Sequence, residues 1–289
     1  PVVFLSALER YEQYNFATPL LDEEITLTNE DGVEWTPKNY DGTFRGQVTL
    51  VDALVQSLNI PTVNLGLEVG LESVREMLAM LGHSYDKTLR PSLLLGAIEM
   101  SPQEVNQLYL SFASAGHYRP ASVIEKLMTT EGETLWQNQQ SSQARLSSQG
   151  SYLINYALKL VAQTGTARSL KWRLNSSGLA GKTGTTNNSR DSWYVGYDKK
   201  HLVTTWIGRD DNKSSGLTGS SGALTLYANF MKRIGVTDLR LSKPDGIEVA
   251  YFDPNSGVAI EDSCEGAVKY PVVSHELYID SNCGSLTKP

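Results

Sequence analysis

The stretch that decides the fold lies in the second half of the chain, where residues 178–188 read GLAGKTGTTNN. The GKT at residues 181–183 first suggests a phosphate-binding loop. That motif needs a glycine five positions before the Gly-Lys pair, where this chain has Ser176. A phosphate loop also opens directly into a helix, whereas residues 184–188 are typical of a turn. The stretch therefore predicts a strand and not a nucleotide site.

The predicted strand carries groups that could hold an anionic peptide end. Side chains alternate along a strand, so Thr183 and Thr185 share one face, while Lys182 points to the other side or along the edge. Gly184 has no side chain, which lets the backbone of a ligand approach closely. Amide donors, two hydroxyls and one positive charge meet at this edge.

The sequence on both sides of this strand indicates an α+β fold. Runs 191–197 and 201–208 are strand-like and separated by tight polar turns, which predicts an antiparallel meander. A helix start is predicted at residues 101–104, with Ser as cap, Pro first and Glu third. Helices that precede antiparallel strands favour α+β over a doubly wound sheet. The predicted helices are 2–14, 48–58, 71–81, 105–115, 152–163 and 224–234, and hairpins are predicted within 121–136 and at 253–257.

Composition indicates a globular protein that does not bind nucleic acid. The 289 residues are 40% hydrophobic and 20% charged, with a formal net charge of −7. Phosphate binding needs clustered Lys and Arg, and the sequence has no such run. It also has no apolar stretch of membrane-span length and no signal peptide. Residues 1–5 enter a helical pattern without a cap, which we interpret as a boundary within a longer protein that carries any anchor.

Two short serine patterns could carry chemistry. Ser57-Leu58-Asn59 ends a predicted helix, where Ser and Asn side chains often bond the helix terminus. Ser-x-x-Lys places two side chains on one helical face, one turn apart. It occurs at Ser84-Lys87 and at Ser285-Lys288. Chance supplies about one such pair in a chain of this composition, so neither pattern is specific alone.

Together, Ser-x-x-Lys, Ser-x-Asn and Lys-Thr-Gly resemble the signature of penicillin-binding proteins and serine β-lactamases. The strings ALVQSLNIPTVNL at 53–65, QTGT at 163–166 and GLAGKTGTTNN at 178–188 resemble the bifunctional (class A) peptidoglycan synthases, most closely the 1b type. The likeness runs over nearly the whole chain. It implies an antiparallel sheet flanked by helices plus an all-helical part, and peptidoglycan D,D-transpeptidase activity.

The resemblance also implies roles for the motif residues. Ser57 would relay a proton to the leaving amine, Asn59 would hold the substrate amide, and Lys182 would lower the pKa of the catalytic base. Thr183, Gly184 and Thr185 would bind the D-Ala-D-Ala end, with the Thr185 amide in the oxyanion hole. Stem peptides, β-lactams and other cell-wall proteins are the implied partners. No cofactor, metal or nucleic acid is implied.

The nucleophile motif departs from the family order. In these synthases Gly-Ser-x-x-Lys-Pro stands directly before a helix like that at residues 1–8, whereas here the matching string is residues 284–289. We predict Ser285 as nucleophile and Lys288 as its base. The alternative is a serine upstream of residue 1. The pair Ser84-Lys87 lacks the family context.

Two cysteines, Cys264 and Cys283, lie in the last tenth of the chain and are either free thiols or a disulfide. The resemblance implies the periplasmic face of the inner membrane, where a disulfide is expected. We predict a transpeptidase domain over 1–235 and a C-terminal hairpin extension over 236–289. The alternative functions are a serine β-lactamase or D,D-carboxypeptidase, and a binding module without turnover if the nucleophile is absent.

Overall fold

A computed structural model of the chain describes residues 1–28, 32–274 and 277–283. In those parts of the chain, no helix combines the length and the apolar character needed to cross a bilayer. The α-helices are α1 (Val2–Leu8), α2 (Leu50–Gln56), α3 (Asn59–Val69), α4 (Leu71–Met80), α5 (Pro102–Ala113), α6 (Ser148–Gln163), α7 (Leu170–Arg173) and α8 (Ala223–Ile234), with 3-10 turns at Pro91–Leu95 and Asn187–Ser189.

The strands are short and mostly antiparallel, which together with the helices confirms the predicted α+β class. In the described residues, four two-stranded ribbons pair β1 (Pro19–Asp22) with β4 (Gly46–Thr49), β2 (Leu27–Thr28) with β3 (Glu34–Trp35), β5 (His117–Tyr118) with β8 (Gln143–Ala144), and β6 (Lys126–Met128) with β7 (Thr134–Gln137). The described residues also form two larger sheets. The first has the strand order β11-β10-β9 and consists of β9 (Ala180–Thr185), β10 (Ser192–Tyr197) and β11 (Leu202–Ile207). The second has the order β14-β12-β13-β15 and consists of β12 (Ile247–Phe252), β13 (Ala259–Ile260), β14 (Val268–Val273) and β15 (Ile279–Asp280).

The sheet β11-β10-β9 is the antiparallel meander that the sequence predicts. Neighbouring side chains of a strand point to opposite faces. Thr204 of β11 accepts a hydrogen bond from Asn106 of α5, whereas Thr205 donates to the Ala223 carbonyl at the start of α8. The sheet is therefore packed between α5 and α8, with β9 at its edge in the described chain.

Helix α1 lies in the centre of the hydrophobic core. Val3, Phe4, Leu5 and Leu8 are all buried, and the helix packs against α3, α4 and α6. The predicted helix over 2–14 is wrong in its second half. The Arg10 N–H bonds the Ala7 carbonyl only three residues back, a tight closing turn after which the chain leaves the helix.

Other helix boundaries follow local signals. The predicted start at Ser101 is confirmed, because the Ser101 hydroxyl accepts from the Glu104 N–H and the Glu104 carboxylate accepts from the Ser101 N–H. Helix α2 begins at Leu50 rather than 48, because residues 46–49 pair with β1. Helix α3 was not predicted from the sequence.

The C-terminal part contains the predicted hairpin and disulfide. Strands β12 and β13 pair antiparallel across residues 253–257, where the Asp253 carboxylate accepts from the Ser256 hydroxyl at 2.7 Å. Cys264 and Cys283 form a disulfide. Phe252 and neighbouring apolar side chains make a small cluster with Ala17. The division into 1–235 and 236–289 stays our proposal, motivated by this separate sheet.

Candidate active site

A cleft of about 840 Å³ opens between the edge of the meander and the helices. It brings together residues that are far apart in the sequence, from α1, from the junction of α2 and α3, from residues 93–109, and from β9 and β10. Its polar lining includes Ser57, Asn59, Thr62, Lys182, Thr183, Thr185 and Asp191.

Ser57 stands where α2 ends, in the left-handed conformation with φ 59° and ψ 47°. That conformation costs a non-glycine residue about 1–2 kcal/mol. It turns the chain sharply, so that α3 starts two residues later, at Asn59. Local strain of this kind is concentrated at functional sites, because the surrounding structure must hold it in place.

Lys182 points from β9 to the helical side and meets Ser57. Its Nζ donates to the Ser57 Oγ at 2.6 Å and to the Thr183 carbonyl at 3.1 Å. The Lys182 side chain is buried. Neither of these two hydrogen-bond partners is a carboxylate. Burial lowers the pKa of Lys182 to about 8. A lysine with this lowered pKa gives up its proton more readily near neutral pH than an exposed lysine does, which suits proton exchange with Ser57.

The backbone of β9 offers donors at its open edge. The Thr186 N–H, just beyond the strand, donates to the Asp191 carbonyl across the turn into β10. N–H groups alternate in direction along a strand, so those of Gly184 and Lys182 point to β10. The N–H groups of Thr183 and Thr185 then point to the free edge beside the cleft.

The two threonine hydroxyls of β9 are held from behind. Thr183 Oγ1 lies 2.7 Å from Thr166 Oγ1, and Thr185 Oγ1 accepts from the Gly219 N–H at 2.9 Å. A Cβ on Gly219 would lie 2.7 Å from the Gly184 carbonyl oxygen, so the loop presses directly on the strand. This support fixes β9 against the cleft.

Asn59 is the first residue of α3, next to Ser57 and Leu58. The start of this helix is capped by a side chain that lies 20 residues earlier in the sequence. The backbone N–H of Asn59 and that of Ile60 donate to Oδ1 of the buried Asn39, at 2.9 and 3.2 Å. Asn39 in turn donates to the buried Asp22 carboxylate at 2.6 Å. The Asn59 side chain donates to the Lys38 carbonyl at 2.7 Å. Asn39 thus holds the Ser-x-Asn segment in place.

The structure brings together some of the predicted residues and leaves others untested. Ser57, Asn59, Lys182, Thr183, Gly184 and Thr185 all line one cleft. Ser285 and Lys288 lie outside the described residues, so their prediction as nucleophile and base stays a prediction. Ser84 and Lys87 are exposed and not helical, and Lys87 pairs with Glu99 at 3.0 Å.

Sequence reasoning missed two contributors, Asn39 and Thr166. Asn39 lies 20 residues before Asn59 in a turn-rich segment, and no local spacing marks it as a helix cap. Thr166 belongs to QTGT at 163–166, a string that carried the resemblance without an assigned role. In residues 1–28, 32–274 and 277–283, no group of three or more His, Cys, Asp or Glu side chains could hold a metal ion.

The fold is similar to solved structures of penicillin-binding proteins. The crystal structure of penicillin-binding protein 1A from Haemophilus influenzae matches 95% of this chain and 47% of that protein, with a TM-score of 0.86 and 24% sequence identity. PonA1 from Mycobacterium tuberculosis, solved in complex with penicillin V, matches 84% of this chain and 70% of that one, with a TM-score of 0.69 and 19% identity.

Sequence comparison gives the same family. Penicillin-binding protein 1B of Vibrio cholerae is 39% identical over 284 residues, 98% of this chain and 37% of that protein. The Escherichia coli protein of the same name is 37% identical over 250 residues, 86% and 30% of the two chains. This chain thus spans about a third of the length of these relatives. The family model for the penicillin-binding protein transpeptidase domain matches residues 20–223. The chain belongs to the penicillin-binding protein transpeptidase domain family.

Proposed function

We propose that this chain is the D,D-transpeptidase domain of a peptidoglycan synthase, which cross-links stem peptides through a serine acyl-enzyme and is acylated by β-lactams. The observation that carries the proposal is the 2.6 Å hydrogen bond from Lys182 to Ser57 in a cleft beside an open strand edge. A buried lysine that is partly neutral can move a proton at the pH of the cell.

Donor binding uses the open edge of β9. A stem peptide that ends in D-Ala-D-Ala presents a carboxylate, which the hydroxyls of Thr183 and Thr185 and the charge of Lys182 would hold. The peptide then lies along β9 as an added strand. The outward N–H of Thr185 would stabilise the developing oxyanion, where one donor is worth about 3 kcal/mol.

Acylation then needs a nucleophile and a path for its proton. A serine hydroxyl attacks the penultimate D-Ala carbonyl, and the terminal D-Ala leaves as an amine that receives the proton. The base that takes the proton from the attacking serine would pass it to Ser57, which is hydrogen-bonded to Lys182 and would deliver it to that amine. We assign the attack to Ser285 with Lys288 as base, because only residues 284–289 resemble the Gly-Ser-x-x-Lys-Pro motif of the family. An amine on a neighbouring stem completes the transfer and regenerates the serine.

The test is the intact mass of the protein after reaction with benzylpenicillin, followed by peptide mapping. A stable adduct at Ser285 supports the whole proposal, and an adduct that Ser285→Ala retains would move the nucleophile elsewhere. Rapid hydrolytic release would indicate a β-lactamase or carboxypeptidase, and no adduct would leave a binding module. The matched control is Ser84→Ala, which removes the other Ser-x-x-Lys serine and should change nothing.

We propose the location of the protein from the family and the disulfide. Disulfides persist in oxidising compartments, and Cys264–Cys283 suits the periplasmic face of the bacterial inner membrane. Other cell-wall synthesis proteins are the expected partners there. Mass measurement on alkylated, unreduced protein from fractionated cells checks this, and free thiols in the protein would argue against the compartment.

A further inference from the structure

The turn after α6 is wedged between the two halves of the candidate site. Gly165 lies so close to the last turn of α2 that a Cβ there would sit 2.3 Å from the Val55 carbonyl oxygen. The same carbonyl accepts the Thr166 N–H at 3.2 Å. Val55 stands two residues before Ser57, so this turn is fixed to the helix end that presents Ser57.

Thr166 also reaches the opposite wall. Its Oγ1 lies 2.7 Å from Thr183 Oγ1 on β9, and its carbonyl accepts from the Ser220 hydroxyl at 3.0 Å. Ser220 follows Gly219, which donates to Thr185. One residue therefore links the helix end, the Lys-Thr-Gly strand and the loop that supports this strand. Thr183 lines the cleft, whereas Thr166 stands behind it.

The hydroxyl pair has a directional consequence. Each hydroxyl carries one proton and two acceptor lone pairs, so one member of the pair donates and the other accepts. If Thr183 donated to Thr166, its proton would be unavailable to a ligand. If Thr166 donates, the proton of Thr183 is free to point into the cleft, and the hydrogen bond behind it strengthens its donation to an anion.

We propose that Thr166 is a positioning residue for carboxylate recognition. It donates to Thr183 and thereby directs the Thr183 proton towards the terminal carboxylate of the bound peptide. The inference rests on the proposed function, since it requires a ligand with an anionic end at β9. Thr166 would thus determine selectivity for the terminal carboxylate of the peptide without contacting the peptide itself.

The test compares two ligands that differ only at this end: a diacetyl-Lys-D-Ala-D-Ala peptide and the same peptide with a C-terminal carboxamide. Dissociation constants come from NMR titration of the full chain. Thr166→Val should weaken carboxylate binding about 10-fold and change carboxamide binding less than about 2-fold, because hydrogen bonds to charged groups are the strong ones. Thr166→Ser should restore most of the affinity.

Two controls separate positioning from a structural role. Thr164→Val removes a hydroxyl in the same turn that donates to its own helix, at the Leu160 carbonyl, and should leave both affinities unchanged. In a Thr183→Val background, Thr166→Val should add no further loss. If Thr166→Val lowers the thermal midpoint strongly, the affinities for the two peptides are measured on Thr166→Ala and Thr166→Ser instead. Thr166→Ala should then show the selective loss of carboxylate binding, and Thr166→Ser should not.

Three outcomes would overturn the inference: equal losses for both peptides, an unchanged preference for the carboxylate in Thr166→Val, or a full additional loss in the Thr183→Val background. Failure of the proposed function looks different. A wild-type chain without any preference for the carboxylate peptide would reject carboxylate recognition at β9 itself, and with it the role of Thr166.

Discussion

Replacing Lys182 by methionine should make the protein more stable and slow its reaction with penicillins at least about 100-fold, because it removes a proton-transfer group. Methionine keeps much of the stem volume but removes the ammonium group. Burial lowers the pKa of Lys182 from 10.5 to about 8. That difference corresponds to about 3 kcal/mol by which folding disfavours the charged lysine. The two lost hydrogen bonds, to Ser57 and Thr183, cost about 1 kcal/mol each. A net stabilisation of about 1 kcal/mol is expected at pH 7.

The expected stabilisation depends on pH in a defined direction. Because the pKa of Lys182 is lower in the folded state, the unfolded chain binds more protons between about pH 8 and pH 10.5. The cost of burying the charge is therefore fully present below about pH 8 and is gone above about pH 10.5. Lys182→Met should be the more stable protein at pH 7 and the less stable one at the alkaline end.

Guanidinium unfolding at pH 7 and pH 10, together with acylation by a fluorescent penicillin, measures both effects. The matched control is Lys159→Met, since Lys159 is partly buried, has a lowered pKa and bonds the Leu239 carbonyl at 3.0 Å, outside the cleft. It should acylate at the wild-type rate. The reasoning is refuted if Lys182→Met is less stable than the wild type at pH 7 or acylates normally.

Three further predictions concern the support of the site. Cys264→Ser with Cys283→Ser should lower the free energy of unfolding by about 3 kcal/mol, because the bond closes a loop with a sequence separation of 19; an unchanged denaturation midpoint would contradict this. Asn39→Ala should cost about 2–4 kcal/mol in denaturant unfolding, since it leaves two N–H groups of α3 without their acceptor and removes one donor from the buried Asp22, which keeps Arg45; a loss below 1 kcal/mol would contradict it. Gly165→Ala should cost about 1–3 kcal/mol and slow acylation, because its Cβ meets backbone rather than a flexible side chain; wild-type stability and kinetics would show that α2 can shift freely.

Features decided by neighbours in sequence could be predicted from the sequence. The meander follows from three short strand-like runs separated by tight polar turns, which the structure pairs antiparallel. The start of α5 follows from Ser101 and Glu104, which satisfy each other's N–H groups within one turn. The capping box and the alternation of side chains along a strand depend on residues close together in the sequence, so a short segment is enough to predict them.

Features decided by distant contacts could not be predicted. Helix α3 lacks its own side-chain cap, and its first N–H groups are satisfied by Asn39 from another segment. Pro61 in its first turn is tolerated because the first four N–H groups of a helix have no partner within it. The role of Thr166 also depends on a distant contact, so it could not be predicted from the sequence. Its hydroxyl matters only once the turn after α6 lies against β9.

The geometry of the site depends on two features, the alternation of side chains along β9 and the left-handed backbone of Ser57. Alternation along β9 separates the side chains of Lys182 and Thr183, so that Lys182 meets Ser57 while Thr183 meets Thr166, and both residues line the cleft. Ser57 meets Lys182 only because its left-handed backbone turns α2 into α3 at that point. Burial of Lys182 then lowers its pKa into the range where proton transfer is useful. Each motif is weak in the sequence because each also suits an ordinary helix end or turn. Their chemical meaning arises where the fold joins a strained serine to a buried lysine across 125 residues of chain.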